Sequence, residues 1–371
     1  SNTKHRMILM KKLYDFLKIL FITFIFSLII DFFFGSKILK QFDPYFAKSQ
    51  FYERLIRIDH PIYHHTLREN VQYTNNVSFE DIYELCTNNH GFKSKCKQID
   101  DKNYNFAFIG DSFTEGTPIE YEDSFVGIFA EKTGYKTANL GIVSYSPKIY
   151  LSKVNYLLQE GFKFDHLVVF IDISDFYDDT NFYSIDQNLK VTEKYSEKKN
   201  LKRRKFLRNN FPLTNFYMFV LKKYKFRSEH RKKLNINESP IFTDKVNLKA
   251  KWTYSNENKI EGYDLGIREG NQIMVYQMEK LYEILSQQSI KLSLAVYPWP
   301  HQLQNDVVNS IHVKIWQEFC KNKCENFINY FPIFFDEMKN STYINTYKKY
   351  YFQNDPHFNK NGHKVLANKL I

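Results

Sequence analysis

The chain is short of several things. Its 371 residues hold one long apolar run, four cysteines, twelve glycines and ten prolines. A single apolar run argues against several membrane-spanning helices. No C-x-x-C pair occurs among the cysteines, and His residues do not cluster with them, so a structural zinc site is not indicated. No long repeat and no low-complexity linker is present, which excludes a repeat array. What is there is globular in kind: 43% hydrophobic and 25% charged residues, with 35 Phe and 27 Tyr to fill a core.

The formal charge of +11 points first to nucleic acid, an anionic membrane or an acidic polymer. Its distribution narrows this. Between Lys190 and Lys233 there are sixteen Lys/Arg and three acids (Glu193, Glu197, Glu229), a local +13, and the remainder of the chain sums to −2. One segment carries the whole excess. No nucleic-acid motif accompanies it, so no nucleic-acid partner is expected. Anionic lipid and acidic glycan are the partners that this segment fits, beside the plainer reading of a solvated charged face.

Residues 19–34 (ILFITFIFSLIIDFFF) are apolar or Thr/Ser apart from Asp31. With the flanking residues they approach the length of a spanning helix. Lys4, Arg6, Lys11, Lys12 and Lys18 precede the run, which predicts an inside N-terminus. No small-residue cleavage site follows, because Phe32, Phe33 and Phe34 stand there. The reading is a cytoplasmic tail (1–12), a signal anchor (13–36), a membrane-proximal stem (37–100) and a C-terminal domain (101–371). A cleaved signal and a buried core helix are the competing readings of the apolar run. The expected location is the inner membrane, with the domain on the periplasmic side. Cys86 with Cys96, and Cys320 with Cys324, can form two short disulfides there or remain buried thiols. His60, His64 and His65 lack a carboxylate or Cys at ligand spacing and read as surface or packing residues.

From Tyr104 strands alternate with helices. NFAFIG, KTANLG and DHLVVFIDISD read as strands, and DSFVGIFAEKTG and SPKIYLSKVNYLLQEG as helices. The pattern stops near Phe176 and resumes near Leu265 with a helix, the strand KLSLAVYP, a helix, the strand NFINYFPIFF and a closing helix. This predicts an α/β fold with a parallel sheet and a basic insertion at about 180–262. Within the insertion, FPLTNFYMFVLKKYKF reads as a short amphipathic helix.

Three signals carry chemistry. Gly110-Asp111-Ser112 directly follows a strand, which sets a serine at the sheet edge where ligands bind. Asp355-Pro356-His357 offers a base and an orienting carboxylate, two apart and therefore on one side of an extended loop. Asn139-Leu140-Gly141 ends the second strand with a glycine whose N–H can meet an oxyanion. GDSFTEG, NLG and DPHFNKNGH, in this order, resemble blocks I, II and V of the SGNH (GDSL-type) hydrolase family over about residues 104–371 minus the insertion.

The resemblance implies a three-layer α/β/α, flavodoxin-like fold. It implies Ser112 as nucleophile, His357 as base and Asp355 as its partner, with oxyanion donors at Ser112 and Gly141. Ser174 stands where the family's third block has Asn, and so takes the place of the third donor. The Asp-x-His spacing is similar to that of membrane-associated SGNH-like proteins of alginate O-acetylation. The anchor resembles those proteins and the D-alanylation protein DltD, which work beside membrane-bound O-acyltransferases. The implied function is acyl-ester chemistry at a serine, as O-acyl transfer to an envelope glycan or as esterase action on an acylated small molecule. An inactive glycan-binding scaffold is the non-enzymatic reading. No cofactor or metal is expected. Trp299 and His301, after a strand at the same edge, are candidates to line the pocket. His363, Asp111, Asp172 and Asp175 read as structural.

Overall fold

The computed structural model describes residues 2–42, 56–78, 81–194, 203, 206–218, 220–221, 249–353 and 355–371. The chain divides into two compact units.

The first unit comprises Ser1–Arg54 and Tyr195–Asn235. Helix α1 (Asn2–Phe42) runs through the whole apolar segment. Its stretch Met10–Gln41 is long and apolar enough to cross a membrane. The Phe, Ile and Leu side chains of this stretch are mostly exposed, unlike those of a soluble core helix. Residues 206–210 and 212–218 of the basic segment are also helical. The end of the predicted amphipathic helix, 222–226, lies outside the described residues.

The second unit comprises Leu55–Lys194 and Ile236–Ile371. Two antiparallel hairpins open it: β1 (Arg57–His60) with β2 (His64–Leu67), and β3 (Gln72–Ser78) with β4 (Asp81–Cys86). The central sheet contains β5 (Asn103–Ile109), β6 (Thr137–Asn139) and β7 (Lys163–Ile171). The short hairpin of β8 (Tyr183–Ile185) and β9 (Val191–Glu193) follows. The last sheet strands are β10 (Lys291–Val296) and β11 (Asn326–Asn329). All five strands are parallel, in the order β11-β10-β7-β5-β6. That is the doubly wound 2-1-3-4-5 arrangement. Strand β7 sits in the middle, and Leu167–Ile171 are buried, as a strand covered on both faces requires.

Helices cover both faces. After β5 come α2 (Ser112–Glu115) and α3 (Phe125–Thr133), and after β6 comes α4 (Pro147–Gln159). Farther on are α5 (Ile267–Gln287), α6 (Pro300–Asn305), α7 (Ile311–Cys320), α8 (Phe331–Asn340), α9 (Tyr343–Tyr350) and α10 (Lys360–Leu370). Helix α4 packs on α5, and α3 packs on α10. The last strand is shorter than NFINYFPIFF suggests. It ends at Asn329, and Pro332 in the first turn of α8 turns the apolar run that follows into a helix.

Much of the expected stem belongs to this unit. Lys93 bridges to Asn139 at the sheet edge, and Cys86–Cys96 is a disulfide that closes the loop holding Lys93. Cys320–Cys324 is the second disulfide. The insertion also narrows. Val191 N–H donates to Ile62 O at 2.8 Å, so β9 is tied to the fold. Trp252 is fully buried, stacks on Phe176 at 5.0 Å and donates to Ile173 O, which ties the return limb down as well.

Candidate active site

The site forms at the C-terminal ends of β5 and β7. The chain leaves β5 through Gly110, where a Cβ would meet Thr114 Oγ1 at 2.2 Å and Phe170 O at 2.8 Å. Asp111 then caps α2, its Oδ1 accepting from Phe113 N–H at 2.9 Å. Ser112 becomes the first residue of a helix, a position whose main-chain N–H has no intrahelical acceptor.

His357 Nε2 and Ser112 Oγ are 2.7 Å apart. On the other side of the ring, Nδ1 pairs with Asp355 Oδ1. The same oxygen accepts the His357 main-chain N–H at 2.8 Å. The loop itself is fixed: Asp355 N–H donates to Tyr347 OH at 3.2 Å, and Tyr347 OH donates to Phe352 O at 2.6 Å. Phe113 stacks on the imidazole with centroids 4.6 Å apart. Burial would lower the pKa of His357, but the adjoining Asp355 carboxylate outweighs it and holds the ring above its usual 6.5, with help from Asp111 and Asp172.

A cavity of about 200 Å³ lies over these groups, lined by Asp111, Ser112, Ser144, Ser174, Asp178, Lys249, Trp299 and Asp355–His357. Ser174 and Trp299 therefore join the site. The indole N–H of Trp299 is already used, donating to Asp172 Oδ2 at 2.5 Å. His301 is buried and does not line this cavity, and burial pulls its pKa down to about 4. Gly141 is also absent from the lining. Its N–H donates to Asn139 Oδ1 at 3.1 Å, and its missing side chain makes room for Thr114, which a Cβ would approach to 2.6 Å. Three lining residues carried no motif in the sequence. Ser144 has φ +62, a conformation unusual for a non-glycine residue. Asp178 opens the π-helical turn Asp178–Phe182. Lys249 pairs with Asp178 at 3.1 Å. Burial opposes the charge of Lys249, but Asp178 and its acidic neighbours raise the pKa.

Asp111, Asp172 and Asp175 form a buried acidic cluster beneath the serine. Each accepts protein hydrogen bonds: Asp172 from Ser174 N–H, Asp175 from Tyr150 OH, Asp111 from Phe113 N–H. Burial first, and then mutual repulsion, push the carboxyls of Asp111 and Asp175 well above the usual range.

The neighbouring ionic groups are structural. Glu115 is fully buried and accepts from Arg57 at 2.8 and 2.5 Å and from Val143 N–H at 2.9 Å. Burial would raise its pKa, but Arg57 brings it below the usual value. His363 accepts from Phe125 N–H at 3.2 Å, and burial lowers its pKa to about 3. His60 stacks on Tyr63, His64 faces Glu193 at 3.0 Å, and His65 bonds Val143 O at 2.8 Å.

Fold and site together define an α/β protein with a hydrogen-bonded Ser–His–Asp line at the C-terminal edge of a parallel sheet. No family model matches the chain, and no curated protein does. Solved structures similar to it include a putative lipolytic protein of the G-D-S-L family from Desulfitobacterium hafniense. That match has 11% identity and a TM-score of 0.36, and covers 73% of this chain and 98% of that one. The psychrotrophic esterase EstA from Pseudoalteromonas sp. matches with 10% identity and a TM-score of 0.35, over 73% of this chain and 94% of that one. LAE5, an α/β hydrolase enzyme from the metagenome of Lake Arreo, Spain, matches with 10% identity and a TM-score of 0.36, over 71% and 92%.

Proposed function

We propose that this chain is a membrane-anchored serine enzyme of acyl-ester chemistry, most simply an O-acyltransferase acting on a cell-envelope glycan. The observation that carries the reading is the continuous line Ser112–His357–Asp355. Ser112 Oγ attacks an ester carbonyl while His357 Nε2 takes its proton, and the carbonyl electron pair moves onto oxygen. Collapse of this intermediate expels the alcohol, which receives the proton from His357. The acyl group remains on Ser112. A sugar hydroxyl then repeats the sequence in the second half-reaction, with His357 again the base. Water in place of the sugar gives an esterase with the same triad.

The oxyanion meets the N–H of Ser112 at the helix start. Ser174 stands beside it, and the Lys249 ammonium lines the same cavity. Gly141 joins only when its N–H is released from Asn139. Two disulfides in the catalytic unit support an oxidising compartment, and the exposed apolar surface of α1 supports an anchor. The Asp-x-His spacing and the anchor favour transfer beside a membrane-bound O-acyltransferase over release to water.

The test is mass-spectrometric trapping of an acyl group on Ser112 with an activated acetyl ester. Wild type is expected to label, and Ser112→Ala and His357→Ala are expected not to. A folded wild type that takes up no label would end the enzyme reading. Competition between an envelope glycan and water for the trapped acyl group then separates transfer from hydrolysis.

A further inference from the structure

Asp31 is the one charged residue between Lys18 and Lys37 in an otherwise apolar helix. Around it, Phe26 and Phe33 are 62% and 70% exposed, yet Asp31 is 3% exposed. A bare carboxylate at this depth would be costly beside lipid. Here both its oxygens are used, and the donors come from the basic segment about 180 residues away. Leu213 N–H donates to Oδ1 at 2.8 Å, and Thr214 N–H donates to Oδ2 at 2.7 Å.

The donors identify the function of the contact. Asn215 N–H donates to Phe211 O, so the helical stretch from 212 is capped at Phe211. Phe211 has no side-chain acceptor, and Pro212 has no N–H to satisfy. Leu213 and Thr214 are then the second and third helical residues, the two that an N-cap side chain normally serves. Asp31 does that work from another helix, and its charge also complements the helix N-terminus. Gly35, one turn along α1, leaves the space: a Cβ there would lie 3.0 Å from Pro212 Cγ. Phe32 meets Phe211 with centroids 5.9 Å apart.

The seated stretch presents an amphipathic surface. Tyr217, Met218, Val220 and Leu221 are exposed, and so is Phe206. Among the described residues the cations are Arg203 and Arg208, Arg204 and Lys205 stand between them in the sequence, and no acid occurs between Glu197 and Glu229. We propose that residues 203–221 are a second membrane contact, an interfacial element that Asp31 holds against the anchor and that binds anionic lipid headgroups. The inference rests on α1 spanning the bilayer and not on the acyl chemistry. Exposed apolar side chains next to cations, continuous with a lipid-facing helix, fit acyl chains and anionic headgroups together. A soluble acidic glycan would pair with the cations but leave Met218 and Leu221 in water.

The experiment uses the full chain in nanodiscs of phosphatidylcholine with and without phosphatidylglycerol. All four cysteines are paired, so Met218→Cys introduces a unique site for an environment-sensitive fluorophore. The expected result is a blue-shifted, brighter label with phosphatidylglycerol. Arg203→Gln should lower the docked-to-undocked ratio about fivefold, the effect of about one cation at an anionic surface. Asp31→Leu, which makes the anchor more apolar, should abolish the shift while the catalytic unit keeps its thermal unfolding transition. Identical emission in both lipids, an unchanged signal in Asp31→Leu, or a response to an acidic polysaccharide instead of phosphatidylglycerol would each overturn the proposal. Alkaline carbonate extraction separates the other failure: a chain that washes off membranes lacks the span itself, whereas an embedded chain with an indifferent label lacks only the interfacial contact.

Discussion

Asp355→Asn removes a charge from the triad and little else. Asp355 Oδ1 takes both the main-chain N–H and Nδ1 of His357. With its amide oxygen in the place of Oδ1, Asn can accept from both the main-chain N–H and Nδ1–H of His357, so the ring retains its tautomer and its aim at Ser112. What is lost is the attraction between the carboxylate and the imidazolium that forms as Ser112 gives up its proton. Two unit charges about 4 Å apart at an effective dielectric of about 20 attract by about 4 kcal/mol. At about 1.4 kcal/mol per decade, kcat should fall about 10³-fold. The pH profile gives an independent sign. Burial lowers the pKa of His357, and Asp355 more than reverses it. Wild-type kcat/KM should therefore rise with pH through a midpoint above 6.5, because only the neutral ring accepts the proton. In the Asn variant the midpoint moves down. Stability runs the other way. A raised folded pKa means the charged pair stabilises the fold fully below the unfolded pKa and loses that contribution as pH rises through the folded value. The assay is the pH dependence of kcat/KM on an activated acetyl ester, paired with thermal unfolding over the same range. A variant within about tenfold of wild type, with its midpoint unmoved, would refute the reasoning.

Four further outcomes are expected. Arg57→Met leaves the buried Glu115 carboxylate without its bidentate partner and should cost about 3–5 kcal/mol in unfolding experiments, and Arg57→Met with Glu115→Gln should recover much of it. Lys249→Met removes the ammonium that faces Asp178 in the cavity over Ser112 and should lower kcat about 10- to 100-fold, read by steady-state kinetics on a small ester. Deleting 195–235 should leave turnover on a small soluble ester intact, because these residues lie outside the unit that holds Ser112, Asp355 and His357. A deletion begun at 190 should instead destabilise the protein, since it removes β9 and the His64–Glu193 pair, which differential scanning calorimetry would register.

The amino-acid sequence by itself determined the parallel sheet and singled out the three residues of the hydrogen-bonded line. The strands β5, β7 and β10 are largely apolar runs and the longer helices are amphipathic, so the order of elements is written locally. Ser112, Asp355 and His357 were legible because their chemistry is carried by short segments: a serine straight after a strand, and a carboxylate and imidazole two residues apart.

Only the tertiary structure decided what lies around them. Lys249 reaches the cavity from a segment that reads as basic insertion, and Asp178 from the turn just before it. Gly141 fits its motif, yet its N–H is taken by the Asn139 side chain two residues before it, a local turn that competes with the oxyanion role. His301 follows a strand at the proper edge but turns into the core, while Trp299 stays at the cavity. Asp31 reads as a flaw in an apolar helix until Leu213 and Thr214 are placed beside it. The physical reason is the same in each case. Periodicity and local motifs report what a residue does to its own segment, whereas burial of a polar group is balanced by partners that only the folded chain brings within about 3 Å.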